Sequence, residues 1–428
     1  MLVLHDPATL KHQIVELLDC KPIPAYESPT RIEVLVAAIQ ASVPQHSLRT
    51  IVSSFTSASL NSSSLAPAPS SGDLLGRFLS ETHDKDYLRH LSHIFDDIIR
   101  AQIDVDGSSE LSAAEAEAEY ERIKATEFSE FVVLPETFRP PMRTRNGLNT
   151  GALEQNVRAP KDIFGRHGFY TYDMATGVGK DTWAAACASA HLAVVGAELI
   201  VPKAKVPGVS REDSHKNVFA MCRPPGHHCT TDMAGGYCYL NNAVVAIQAL
   251  RYHHAAQRLQ QQEIDEQPAH PRITVLDLDF HHGNGTQAAF YEDPTVLYIS
   301  IHGEGEYPYY TGYPEETGTG LGAGFNINLP LAMATADEYL DKLQVAVDHM
   351  KAYKPEYIVV SLGFDTFRGD PLGNFMIDTP DYERIARKVR EEELLSGTPS
   401  LILLEGGYMV EKLGVNLLSF LKGWEGLA

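Results

Sequence analysis

Ile273-Thr274-Val275-Leu276-Asp277-Leu278-Asp279-Phe280-His281-His282-Gly283-Asn284-Gly285-Thr286 is a β-branched and aliphatic run that ends in a knot of metal-binding side chains. Residues 273–280 have almost no polar alternation, the pattern of a strand buried on both faces, as in a parallel sheet. An ionised carboxylate in such a strand is costly unless it pairs with a cation or coordinates a metal. Asp279 and His281 stand at i and i+2, which on a strand face the same way, and so offer two ligands side by side.

Working outward, apolar runs at 217–222, 295–302, 357–364 and 400–405 repeat the strand pattern. Helices are predicted between them over 181–197, 238–254, 336–352 and 380–396, with Asp181, Asn242, Asp337 and Asp381 near the starts. Strands alternating with helices imply an α/β fold whose parallel sheet is covered on both faces. Ligands in such sheets bind outside the carboxyl ends of the strands. That end is where the unusual residues collect: Cys222-Arg223-Pro224-Pro225-Gly226-His227-His228 after one strand, Asp279 and His281 after the next, then Asp365, and Glu405-Gly406-Gly407-Tyr408 last.

Asp279, His281 and Asp365 would give a zinc ion three protein ligands and leave a position open for water or a carbonyl, the mark of a catalytic rather than a structural site. Alone, Asp365 reads equally well as a strand-end carboxylate capping local backbone. His227 and His228 follow a Pro-Pro-Gly turn that lets both rings turn inward. Asp277 and Asn284 are available to orient them, and a ring held by a carboxylate is more basic than one held by an amide, so the two histidines acquire different tasks. Tyr408, after two glycines, could present a phenol to an oxyanion, although a packed tyrosine is the plainer reading of that residue by itself. Gly235-Gly236-Tyr237 and Tyr307-Pro308-Tyr309-Tyr310 place aromatics in loops near the same rim. His253-His254 reads as a surface pair at a helix carboxyl end.

The chain has 428 residues and a formal charge of −21, which argues against unaided nucleic-acid binding and mildly for cationic ligands. Its five cysteines (Cys20, Cys187, Cys222, Cys229, Cys238) contain no C-x-x-C pair and read as reduced thiols of an intracellular protein; a cytoplasmic location is expected ahead of a nuclear one, although the cysteines do not separate the two. Neither a secretion signal nor a membrane span is expected. One domain over 1–428 is expected, with its core at about 165–425. Residues 53–72, rich in Ser, Ala and Pro, and 101–125 read as surface insertions, the second as a solvated helix over 108–125.

RPPGHH, GGYCYLNNA, DLDFHHGNGTQ, SLGFDTFRGDP and LEGGY, in this order, make the chain resemble the zinc-dependent histone deacetylase and acetylpolyamine amidohydrolase family. HHGNGTQ, GYP-EETG and GVNLLSFLKGWEG are similar to its acetylpolyamine amidohydrolase branch. The resemblance implies an arginase-like, eight-stranded parallel sheet and removal of acetyl groups from amines. It assigns one zinc ion to Asp279, His281 and Asp365, general acid–base catalysis to His228, an electrostatic role to His227 paired with Asp277, and carbonyl polarisation to Tyr408. It places Asn284 beside His228, lines a substrate tunnel with Gly236, Tyr237 and Tyr310, and suggests a potassium ion near Asp277, Asp279, His281 and Ser300. A homodimer is implied by the long segment at roughly 80–170.

The substrate implied is a small acetylated amine, with an acetyl-lysine protein as the alternative. Phe164 and Leu372 stand where polyamine-selective relatives carry acids, and Arg143, Arg145, Arg166 and Arg368 add positive charge that would repel a polycation unless turned away. Two readings of other classes are a noncatalytic acetyl-lysine-binding scaffold, which loss of Tyr408 or a zinc ligand would have favoured, and a binuclear manganese hydrolase, which needs more strand-end carboxylates.

Overall fold

The computed structural model describes residues 1–18, 21–42, 46–53, 71–105, 112–125, 132–139, 158–202, 215–260 and 270–427. Its strands are β1 (Leu2–His5), β2 (Val15–Leu18), β3 (Lys21–Pro24), β4 (Ser47–Thr50), β5 (Asn217–Ala220), β6 (Ile273–Asp277), β7 (Val296–Gly303), β8 (Asn326–Leu331), β9 (Tyr357–Leu362) and β10 (Ser400–Leu404). Eight form one sheet in the order β4-β1-β5-β10-β9-β6-β7-β8, with every pairing parallel. The five strands anticipated between 217 and 405 are present; β1, β4 and β8 complete the eight. β2 and β3 make a separate antiparallel hairpin.

Successive strand residues feed opposite sides of the sheet, as the two-residue period requires. Val359, Leu401 and Leu403 enter one buried cluster, with the helices Ser71–Thr82, Lys85–Val105, Thr182–Ile200 and Asn242–Gln260. Ile358, Val360, Ile402 and Leu404 enter the other, beneath the helices Pro29–Ala41, Ala336–Tyr353, Thr379–Arg390 and Val410–Glu425. With both faces covered, polar residues concentrate where the strands stop.

Three boundaries differ from the sequence reading. The central strand ends at Asp277, so Asp279 and His281 lie on a bend rather than on an extended strand. The helix expected to end at His254 runs on to Gln260; His253 and His254 are half-buried, and the His254 ring lies 3.2 Å from the Tyr357 hydroxyl, which corrects their reading as a surface pair. Residues 113–125 are helical and largely solvated as expected, but Tyr120 and Ile123 are buried in the core cluster shared with Lys85–Val105, so two apolar anchors were enough to dock the helix. Residues 54–70 of the first expected insertion lie outside the described residues, as do Cys20, Arg143 and Arg145.

Helix Thr182–Ile200, with mean hydropathy 1.5 over an 18-residue window, is long and apolar enough to cross a membrane, yet 83% of that window is buried against the sheet. The other four cysteines are buried free thiols.

Candidate functional site

β6 and β9 are adjacent, so the loops leaving their carboxyl ends meet. One ligand atom from each of Asp279, His281 and Asp365 lies within 4.8 Å of the others. His281 Nδ1 stands 3.3 Å from Asp279 Oδ1 and 3.0 Å from Asp365 Oδ2. The opposite oxygens take backbone donors: the Gly406 N–H donates to Asp279 Oδ2 (2.7 Å) and the Phe280 N–H to Asp365 Oδ1 (3.0 Å). Both carboxylates are thereby turned with one oxygen towards the imidazole nitrogen.

Glycines permit this crowding. A Cβ at Gly363 would lie 2.1 Å from Asp279 Oδ2, and one at Gly406 2.3 Å from Asp365 Oδ2. Burial, with Asp279 alongside, pushes the Asp365 carboxyl up to about 7. Burial works against a charged His281, but hydrogen bonding to Asp279 and Asp365 outweighs it and pushes the ring up to about 10. The cluster therefore demands positive charge at the point its three donors share. One nitrogen and two oxygens, buried and convergent, fit a single divalent ion with an open position.

His227 and His228 follow β5 with ring centroids 4.0 Å apart, yet their surroundings oppose each other. His227 Nδ1 lies 3.2 Å from Asp277 Oδ2, which also accepts the Tyr298 hydroxyl at 3.0 Å. Burial alone would lower His227; Asp277, Asp279 and Glu405 overcome it and raise the ring to about 10. Burial, then the neighbouring His227 and His281, holds His228 well below the usual imidazole range. Asn284 Oδ1 sits 2.8 Å from His228 Nδ1. A carboxamide oxygen only accepts, so the network assigns the proton to Nδ1 and leaves Nε2 as the basic nitrogen.

Tyr408 is buried at the end of the turn after β10, where Gly407 adopts φ +115°. Its backbone N–H donates to Asp370 Oδ2 (2.6 Å). Arg31 packs its guanidinium 5.0 Å from the Tyr408 ring centroid and donates to the carbonyls of Gly407 (2.7 Å) and Glu405 (2.5 Å). Glu27 Oε1 joins Arg31 to Arg223 at 2.9 and 2.8 Å. Glu405, pushed up to about 7 by burial, accepts the Gly226 N–H at 2.7 Å behind the histidine pair.

Gly236 packs on His228, where an added Cβ would lie 2.2 Å from the ring. Tyr237 and Tyr408 meet edge to face with centroids 5.8 Å apart. Tyr310 does not join them: it is 78% exposed, and the ring that packs 4.9 Å from His228 belongs to Tyr307. This corrects the expected tunnel wall, because in a Tyr-Pro-Tyr-Tyr turn the backbone path, not the residue type, decides which ring points inward. Ser300 pairs in register with Asp277, and its hydroxyl lies 2.9 Å from His302 Nδ1.

Further groups near the site carried no motif. Glu16, on the β2–β3 hairpin, is buried and accepts the Tyr237 hydroxyl at 2.7 Å. Asp173 accepts the Tyr307 hydroxyl at 2.6 Å. Glu27 and Arg31 lie in ESPTRIE, far from the strand-end signal, and only the long-range contact to the Tyr408 turn reveals their part. Of the four arginines in question, the two among the described residues are engaged locally: Arg166 donates to the carbonyls of Pro160 and Lys161, and Arg368 pairs with Asp378 at 3.1 Å.

A family model of the histone deacetylase domain matches residues 26–424. Acetylpolyamine amidohydrolase 2 of Pseudomonas aeruginosa is 39% identical over 272 residues, covering 63% of this chain and 70% of that protein. The acetylpolyamine amidohydrolase of Mycoplana ramosa is 40% identical over 272 residues, covering 63% and 71%. The crystal structure of acetylpolyamine aminohydrolase from Burkholderia pseudomallei superposes with a TM-score of 0.73 at 28% identity, covering 100% of this chain and 99% of that one.

Proposed function

The chain belongs to the histone deacetylase domain family, and from that premise we propose that it hydrolyses the acetyl amide of acetylated polyamines, with one zinc ion held by Asp279, His281 and Asp365. The observation that carries this reading is the convergence of those three side chains beside the His228–Asn284 and His227–Asp277 pairs, with the Tyr408 phenol buried on the adjoining turn. The chemistry such an ion supplies is Lewis-acid activation of the acetyl carbonyl and of water.

His228 Nε2 accepts a proton from the attacking water as the new C–O bond forms, and returns it to the amine nitrogen as the C–N bond breaks, releasing acetate. The Asn284 contact keeps that nitrogen free by fixing the proton on Nδ1. His227, held charged by Asp277, adds positive potential without exchanging its proton. Burial keeps the Tyr408 phenol protonated, with its pKa well above the ordinary value, so it donates a hydrogen bond to the developing oxyanion.

Glu16 and Asp173 set carboxylates directly behind the aromatic rings, Arg368 is paired with Asp378, and Arg166 is turned onto the Pro160 and Lys161 carbonyls, which favours a cationic amine over a neutral peptide. Potassium near Asp277 and Ser300 and a homodimeric assembly belong to the same proposal. The deciding experiment assays the zinc-loaded protein on matched acetylpolyamine and acetyl-lysine peptide substrates. Preference for the polyamine supports the reading; preference for the peptide replaces it with protein lysine deacetylation; absence of Tyr408-dependent turnover on both overturns it.

A further inference from the structure

The two tunnel tyrosines do not aim their hydroxyls at the substrate path. The Tyr237 hydroxyl donates a hydrogen bond to Glu16 Oε2 and the Tyr307 hydroxyl donates one to Asp173 Oδ2, at 2.7 and 2.6 Å. The same Oδ2 accepts the backbone N–H of Gly236 at 2.6 Å. One carboxylate oxygen thus ties the Tyr307 ring to the backbone of Gly236 through two short bonds.

Asp173 is itself held. Its Oδ1 accepts the N–H groups of Ala175 and Thr176, both at 3.0 Å, and the Thr176 hydroxyl accepts the N–H of Tyr237 at 3.0 Å. The 173–176 turn therefore grips both amides of Gly236-Tyr237, which sit at φ +56° and +64°. A tyrosine resists that left-handed backbone and keeps it only where the surroundings fix it. Gly236 also has no slack, since a Cβ there would lie 2.2 Å from His228 Cδ2 and 3.0 Å from Tyr307 Cε1.

We propose that Asp173 is a positioning residue that staples the Tyr307 wall to the Gly236-Tyr237 wall and so sets the bore of the passage to His228. Resting on the deacetylase reading, this makes the Tyr307 hydroxyl a specificity determinant: it confines the passage to unbranched amine chains, a task a phenylalanine ring alone does not perform.

The test compares wild type, Tyr307→Phe, Asp173→Asn and the double variant. Two readouts are taken: amide hydrogen exchange over residues 234–240 and 304–310, and the kcat/KM ratio of a linear acetylated amine to one methyl-branched beside the nitrogen. Tyr307→Phe removes one oxygen atom and leaves the ring packing in place. Tyr307→Phe should speed exchange in both segments by about tenfold, the loss of roughly one hydrogen bond, and Asp173→Asn, which also disturbs the Gly236 N–H bond to the same oxygen, by at least as much. The double variant should match Asp173→Asn, because both changes break the same link, and the linear-to-branched ratio should fall in parallel. Unchanged exchange over 234–240 in Tyr307→Phe, or an unchanged ratio in an active enzyme, overturns the staple. Failure of the wild type to turn over any acetylated amine overturns the deacetylase reading instead, and the exchange data still decide the staple.

Discussion

At Asn284 one atom sets the chemistry of its neighbour. A neutral carboxamide 2.8 Å from His228 Nδ1 does little to favour the imidazolium, so burial and the adjacent charges keep the ring neutral and ready to take a proton. Asn284→Asp would stabilise the protonated ring, raise its pKa and move the acidic limb of the kcat/KM profile upward by about one pH unit. A pH–rate profile checks this, and an unmoved limb would remove His228 from the base role. Tyr408→Phe keeps the packing against Arg31 and Tyr237 but deletes the proposed oxyanion donor, so kcat should fall by about a hundredfold or more with KM little changed. The candidate ligands, both histidines and Tyr408 were legible because metal-binding and titratable residues at successive strand ends are chemically conspicuous. The directions of Tyr307 and Asp173 were not, since an aromatic or an acid in an irregular loop carries no period from which its direction can be read, and Glu16 lies in a four-residue strand whose place against Tyr237 only the fold sets.

Among the elements, helix Pro29–Ala41 acts on the site at a distance, through a single side chain. Arg31 reaches from it to hold the carbonyls of Glu405 and Gly407 and thereby shapes the turn that presents Tyr408. Arg31→Met would strand those carbonyls and weaken the compensation of buried Glu27, at a cost of about 3–5 kcal/mol that urea unfolding would measure. Burial works to raise the Glu27 carboxyl, but Arg223 and Arg31 outweigh it and hold it below its ordinary 4.5. A folded-state value below the unfolded one adds stability that is present above about pH 4.5 and is lost as the pH falls through the lower, folded value. Glu27→Gln should therefore lower stability at pH 7 and flatten its decline on acidification; an acid slope identical to wild type would assign that decline to other carboxylates. Five strands of the doubly covered sheet were readable from their apolar runs, whereas β4 (SLRT) is largely exposed and β8 (NINLPL) alternates asparagine with apolar residues, so neither carries such a run.

For the whole molecule, charge and metal give the broadest expectations. A formal charge of −21 should draw in a polycation over distances comparable to the Debye length. The kcat/KM for an acetylpolyamine should then fall several-fold between about 20 and 300 mM salt, while a neutral acetylated amine of similar size changes little. Equal salt dependence for both would exclude steering. Chelation should abolish activity and lower thermal stability, because Asp279 and Asp365 are buried side by side; zinc should restore both, and calorimetry with and without the metal separates the two effects.

The sequence by itself determined the alternation of strands and helices, the end of the sheet at which chemistry collects, and the Asp279, His281 and Asp365 set, because these are local properties: runs of apolar residues and side chains of particular chemistry at strand ends. Only the tertiary structure decided that Tyr307 and not Tyr310 packs on His228, that Glu16 and Asp173 accept the hydroxyls of Tyr237 and Tyr307, and that Arg31 shapes the turn bearing Tyr408. Those are contacts between residues tens to hundreds of positions apart. They depend on how loops fold back across the rim, and neither hydrophobic period nor residue chemistry encodes that path locally.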